Sequence, residues 1–117
     1  MTPEEGTTGK PRRIAAVTQL RPEKADEYIS LHRAAWPDVL ATLKRAHISN
    51  YSIFLRDGYL FSYLEYWGDD YEADSAMIAA DKVTQDWWKL TGPCQEALPT
   101  ADEGQKWATA EEVFHLD

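Results

Sequence analysis

Cysteine is nearly absent: Cys94 is the only one in 117 residues. That excludes an internal disulfide framework and any zinc site built from several thiolates. Cationic side chains are also scarce. Twelve Lys and Arg stand against twenty Asp and Glu, a formal charge of −8. No basic cluster relieves the imbalance, since Lys10-Pro11-Arg12-Arg13 is only a short run. Nucleic acid and anionic membrane surfaces both require a cationic face, so neither is an expected partner. No apolar run approaches the ~18 residues that a spanning helix needs. No signal-type cleavage site follows Arg12-Arg13, and the cytoplasm is the simplest location. The chain has no Gly-rich phosphate loop, nucleophile elbow or Cys-His pair. Its three histidines, His32, His47 and His115, lack paired ligand spacing, so no metal is expected.

Aromatic and apolar residues, by contrast, are plentiful. Hydrophobic residues make up 44% and aromatics 12%, with five tryptophans, which is the composition of a folded globular domain. Residues 1–12 are polar and rich in Gly, Pro and Thr and read as a disordered leader; residues 13–117 read as one domain. Ile14 to Leu20 suits a first strand. Pro22 opens a helix that the apolar spacing carries to about Trp36, and Pro37 then starts a second helix over 37–46. Ile48–Arg56 and Tyr59–Trp67 are strand-like runs joined by Asp57-Gly58, a two-residue hairpin signal. Residues 70–80 and 82–91 read as helical, 98–108 as a loop, and Thr109 to Leu116 as a last strand.

This order, β-α(α)-β-β-α(α)-β, predicts an α+β, ferredoxin-like βαββαβ fold, with a four-stranded antiparallel sheet and helices on one face. Both faces of the 59–67 strand are apolar. One carries Tyr59, Phe61, Tyr63 and Trp67, and the other Leu60, Leu64 and Tyr66. A second copy of the chain is the economical cover for the free face, and Tyr66 serves as the test residue for such a shared surface.

One helical stripe stands out for chemistry: Tyr28-x-x-x-His32-x-x-x-Trp36-Pro37. At 3.6 residues per turn Tyr28 and His32 project only ~40° apart. Imidazole titrates near neutral pH without perturbation, so His32 can both give and take a proton. Tyr28 and Tyr51 offer phenols that can orient a hydroxylated ligand. Trp36 reads as a brace for the helix bend. Trp87 and Trp88 offer flat walls but point ~100° apart on a helix, so geometry alone brings only one of them to a ligand. Glu65, among Tyr63, Trp67 and Phe61, is a possible second acid or base whose pKa burial would raise. Each of these side chains also has an ordinary reading as core or solvated surface.

Four segments, taken in order, resemble the L-rhamnose mutarotase family: the Tyr28–Pro37 stripe, Asn50-Tyr51-x-Ile53-x-Leu55, Asp86-Trp87-Trp88-Lys89 and Glu112-Val113-Phe114. The resemblance spans residues 13–116. It implies a small cytoplasmic homodimer, a dimeric α+β barrel, that interconverts the anomers of L-rhamnose without a cofactor. It also implies His32 as proton donor and Tyr28, Tyr51, Trp87 and Trp88 as sugar contacts. The chain departs from the pattern in a longer 67–81 stretch and in His115, where a tyrosine is familiar. L-Fucose, another 6-deoxy hexose, is therefore an alternative sugar. Two rival readings share the predicted strand order or the aromatic cavity: a dimeric α+β-barrel monooxygenase or lactone isomerase, and a non-catalytic sugar-binding dimer.

Overall fold

The structure is a computed structural model and describes residues 9–117. Residues 1–8 of the expected leader lie outside the described residues. The first strand, β1, runs Arg12–Leu20 and so starts before Arg13. Arg21 is held extended by the proline that follows, and Pro22 opens a 3₁₀ turn that leads into α1, Ala25–Arg33. The expected helix to Trp36 stops at Arg33. Trp36 precedes Pro37 and is pushed into the extended region (φ −68°, ψ 129°), so the chain breaks there before α2, Pro37–Arg45.

β2, Ile48–Arg56, and β3, Tyr59–Tyr66, form the hairpin read from Asp57-Gly58. Both turn residues have positive φ (55° and 80°), the geometry that matches strand twist in a two-residue loop. α3, Tyr71–Ala80, and α4, Lys82–Thr91, are separate helices with aspartate caps. Asp70 accepts from Ala73 N–H at 3.1 Å, and Asp81 accepts from Thr84 N–H at 2.9 Å and its hydroxyl at 2.7 Å. These bonds to the charged form hold the Asp81 carboxyl below its ordinary value.

The predicted fourth strand is replaced by two short pieces along one edge of β1. β4, Gln95–Glu96, pairs at Gln19 and Leu20, and β5, Ala108–Ala110, pairs at Ala15 to Val17, giving the antiparallel order β2-β3-β1-β4 with β5 also pairing β1. A two-residue strand is too short to show a period of two. The buried Thr18 hydroxyl holds the pieces together, donating to the Lys106 carbonyl at 2.7 Å with the Glu96 carbonyl 3.2 Å away. The expected strand to Leu116 ends at Ala110, because residues 111–117 pair with no strand among the described residues. Glu112 is tied to Arg13 by two bonds of 2.7 and 3.0 Å, but Val113, Phe114 and Leu116 are largely exposed.

Helices cover one sheet face over two core clusters. Leu20, Tyr28, Leu60 and Cys94 form one, with Trp107 and Ile53 packed against it; Ala46, Ile48 and Tyr66 form the other. Tyr66 therefore faces the helices, and the free face carries Phe54, Tyr59 and Phe61, which corrects the choice of Tyr66 as a marker of a shared surface. Among the described residues no helix is long and apolar enough to cross a membrane.

One backbone irregularity prepares the site. Ile48 points to the helices, so strict alternation would send Tyr51, Ile53 and Leu55 to the opposite face. The register shifts between Ser49 and Ser52, and Asn50 takes a left-handed conformation (φ 49°). This β-bulge adds one residue and reverses the parity, so that Tyr51 and Ile53 join Ile48 on the helix side. Asparagine is among the few non-glycine residues that tolerate that conformation.

Candidate active site

A cavity of about 420 Å³ opens between the sheet and helices α1, α2 and α4. A second lobe of about 410 Å³ shares Tyr28, His32, Tyr51, Ile53 and Trp87 with it. The first lobe is largely apolar, walled by Ile29, Val39, Leu40 and Leu55. The second adds Trp88, Thr91, Gln95, Lys106 and Trp107.

His32 is half-buried in the last turn of α1. Its Nδ1 lies 2.9 Å from the Tyr28 carbonyl, which is an acceptor only, so Nδ1 carries a hydrogen and donates it. Nε2 remains as the nitrogen free to exchange a proton with a ligand. The ring is fixed on two sides: it lies 4.2 Å from the Tyr28 ring, tilted by 33°, and 5.2 Å from Trp87, edge-on. Trp36 packs edge-on against Trp87 at 5.2 Å, the bracing role read from its position before Pro37.

Tyr28 is buried, and its hydroxyl accepts a hydrogen bond of 3.2 Å from Gln95 Nε2. Burial pushes its pKa up to about 12, with the Gln95 N–H acting in the opposite direction. The phenol is therefore a neutral donor at any physiological pH. Tyr51 lines both lobes and is 43% exposed, yet the atoms crowded around its hydroxyl push its pKa up as well. Trp87 is buried, whereas Trp88 is 46% exposed at the rim. Both nevertheless line the second lobe, because the cavity wraps the end of α4, where the helix gives way to the 3₁₀ turn Gly92–Cys94.

Glu65 is not brought to this cavity. It alternates with Leu64 and Tyr66, so it points to the free sheet face, where it accepts from Asn50 Nδ2 at 2.6 Å and Tyr63 Oη at 2.8 Å. His47 instead lies 3.2 Å from Asp74, and His115 sits 2.8 Å from Asp117. Among the described residues no three His, Cys, Asp or Glu side chains are grouped to hold a metal. Cys94 is buried, its thiol pushed up by desolvation and donating to the Leu90 carbonyl at 3.5 Å. Gln95, Lys106 and Trp107 are among the lining residues that sequence reasoning passed over. Only Trp107 left a signal, as a large ring in an otherwise polar loop.

A curled antiparallel sheet, helices on one face and an imidazole in an aromatic cavity define a ferredoxin-like α+β protein with a site for a small organic ligand. The family model for L-rhamnose mutarotase matches residues 13–116. An L-rhamnose mutarotase of Oceanobacillus iheyensis is 35% identical over 91% of this chain and 99% of its own. An L-fucose mutarotase of Xanthomonas campestris is also 35% identical, over 90% of this chain and 88% of its own. The crystal structure of an L-rhamnose mutarotase from Formosa agariphila superposes with a TM-score of 0.72 at 25% identity, covering 91% of this chain and 99% of that one. The chain belongs to the L-rhamnose mutarotase family, whose members are isomerases acting on carbohydrates.

Proposed function

We propose that this chain interconverts the α and β anomers of L-rhamnose, or of a related 6-deoxy hexose such as L-fucose, with His32 as the proton-transferring group. Mutarotation opens the pyranose to an aldehyde, turns the carbonyl face over and closes the ring again. The ring oxygen gains a proton as its bond to the anomeric carbon breaks, and the anomeric hydroxyl loses one as the carbonyl forms. As the imidazolium, His32 gives the Nε2 proton to the ring oxygen and recovers it on closure; water in the cavity takes the proton from the anomeric hydroxyl. A well-placed acid or base contributes about 10²–10⁴-fold, which suffices for a reaction that already proceeds in water. Tyr28 and Tyr51 hydrogen-bond sugar hydroxyls, and Trp87 and Trp88 cover its C–H face and methyl group.

The observation that carries this reading is the hydrogen bond tying His32 Nδ1 to the Tyr28 carbonyl, which leaves Nε2 as the working nitrogen among these rings. Saturation-transfer NMR on L-rhamnose, L-fucose and D-glucose tests it. Accelerated exchange between anomers of one of the 6-deoxy sugars is expected, and Trp88→Ala should weaken binding of that sugar. Ligand binding without faster exchange would return the protein to the non-catalytic reading.

We further read residues 13–117 as one domain that works as a cytoplasmic homodimer. The exposed Phe54, Tyr59 and Phe61 on the helix-free face, and the exposed Val113, Phe114 and Leu116, support a second copy as their cover. Light scattering of Phe61→Asp should report a monomer; a persisting dimer would mean that this face is not shared.

A further inference from the structure

We propose that Gln95 is a positioning residue that fixes the direction in which Tyr28 hydrogen-bonds the sugar, making Tyr28 a donor; this rests on the mutarotase reading above. Gln95 is 93% buried in β4, where the ladder to Leu20 fixes its backbone. Lys106 Nζ donates to its carbonyl at 3.4 Å, and Thr18 in turn pins the Lys106 carbonyl to the sheet. From this fixed point the Gln95 amide reaches across to helix α1 and donates to the Tyr28 hydroxyl at 3.2 Å.

A phenol has one hydrogen to give and a lone pair to receive with. Gln95 occupies the receiving side. Among the described residues the Tyr28 hydroxyl has no acceptor of its own. Its hydrogen is therefore left for an oxygen on a ligand in the cavity that Tyr28 lines. The same residue is held at its other end, where its carbonyl accepts from His32 Nδ1. Gln95 and His32 thus orient two neighbouring groups through one tyrosine: a neutral O–H donor and an exchangeable Nε2. In a pyranose the ring oxygen and the anomeric oxygen share one carbon. A sugar seated with its ring oxygen at His32 consequently presents an oxygen acceptor close by, which a donor recognises and a second acceptor would repel.

Two variants separate positioning from support. Gln95→Leu removes the amide, and Gln95→Glu replaces it with a carboxylate that only accepts, drawing the Tyr28 hydrogen away from the sugar. The measurements are KM and kcat for anomer exchange from pH 5 to 9, the sugar Kd, and the thermal midpoint of each protein. We expect Q95L to raise KM about 10-fold with kcat nearly unchanged, the size of one lost hydrogen bond. Q95E should match or exceed that at pH 9 and recover toward wild type as the pH falls, because a protonated carboxyl can donate again. A lowered thermal midpoint with a KM ratio to wild type that stays flat across pH would overturn the proposal, as would KM within twofold of wild type in both variants. If wild type binds the sugar without accelerating exchange, the mutarotase reading fails and the Kd ratios across the same pH range decide Gln95. No sugar binding by wild type overturns both.

Discussion

Replacing His32 by Asn and, separately, by Ala distinguishes the imidazole's chemistry from its part in the fold. The amide nitrogen of Asn falls close to where Nδ1 stands, so His32→Asn keeps the 2.9 Å bond to the Tyr28 carbonyl but carries no titratable group. His32→Ala loses that bond, about 1 kcal/mol, together with the contacts to Tyr28 at 4.2 Å and Trp87 at 5.2 Å. Each ring pair contributes about 0.5–1.5 kcal/mol, so Ala should cost about 2–4 kcal/mol of stability and Asn about 1 kcal/mol less. Catalysis should behave differently. Both variants lack the proton carrier, so both should lose about 10²–10⁴-fold in anomer exchange above the rate in water, equivalent to about 3–5 kcal/mol in the barrier. Urea unfolding measures the first quantity and NMR exchange the second. An Asn variant that exchanges anomers within twofold of wild type would remove His32 from proton transfer. Equal stability of the two variants would mean that the bond to the Tyr28 carbonyl contributes nothing.

Three further outcomes follow from particular contacts. A Cβ added at Gly68 would overlap the Tyr66 hydroxyl and lie 2.6 Å from Tyr66 Cζ and 2.7 Å from Asp74 Oδ2. Gly68→Ala should therefore break the 2.5 Å bond from Tyr66 to Asp74 and cost about 2–3 kcal/mol in urea unfolding; the cost should shrink in a Tyr66→Phe background, and strict additivity would refute the clash. Tyr28 and Tyr66 both have pKa values pushed up to about 12, in each case chiefly by burial. The folded state thus keeps protons that the unfolded chain releases above pH 10, so stability is intact below pH 10 and falls as pH rises toward 12, by at most about 2.7 kcal/mol per group. A flat urea midpoint from pH 9.5 to 11.5 would contradict this. At Asn50, the left-handed backbone predicts that Asn50→Val loses about 1–2 kcal/mol while Asn50→Gly stays near wild type; equal stabilities would remove the bulge strain from the account.

Local chemistry made much of the fold legible. The Asp57-Gly58 turn and the prolines at 22 and 37 act within a few residues of themselves, and the hairpin and the helix starts they mark are present near their expected positions. The failures lie where partners are distant in sequence. β4 exists because Gln95 and Glu96 meet the end of β1, and the expected strand to Leu116 stops because no neighbour among the described residues continues the ladder. Glu65 shared its strand face with aromatic residues, as read, but that face is turned away from the helices, so the aromatic setting did not mark the cavity.

Residue spacing by itself determined that Tyr28 and His32 share one side of α1, since helical geometry repeats every 3.6 residues whatever surrounds it. It also determined the hairpin and the proline-marked helix starts, which are short-range steric effects. Only tertiary structure decided that Tyr51 joins them, because that depends on one extra residue in β2 reversing the strand's parity. Packing likewise decided that Trp87 and Trp88 meet one cavity, and that Gln95 reaches Tyr28 across 67 residues of chain. Contacts of that range follow from how the helices settle on the twisted sheet, and no local pattern encodes them.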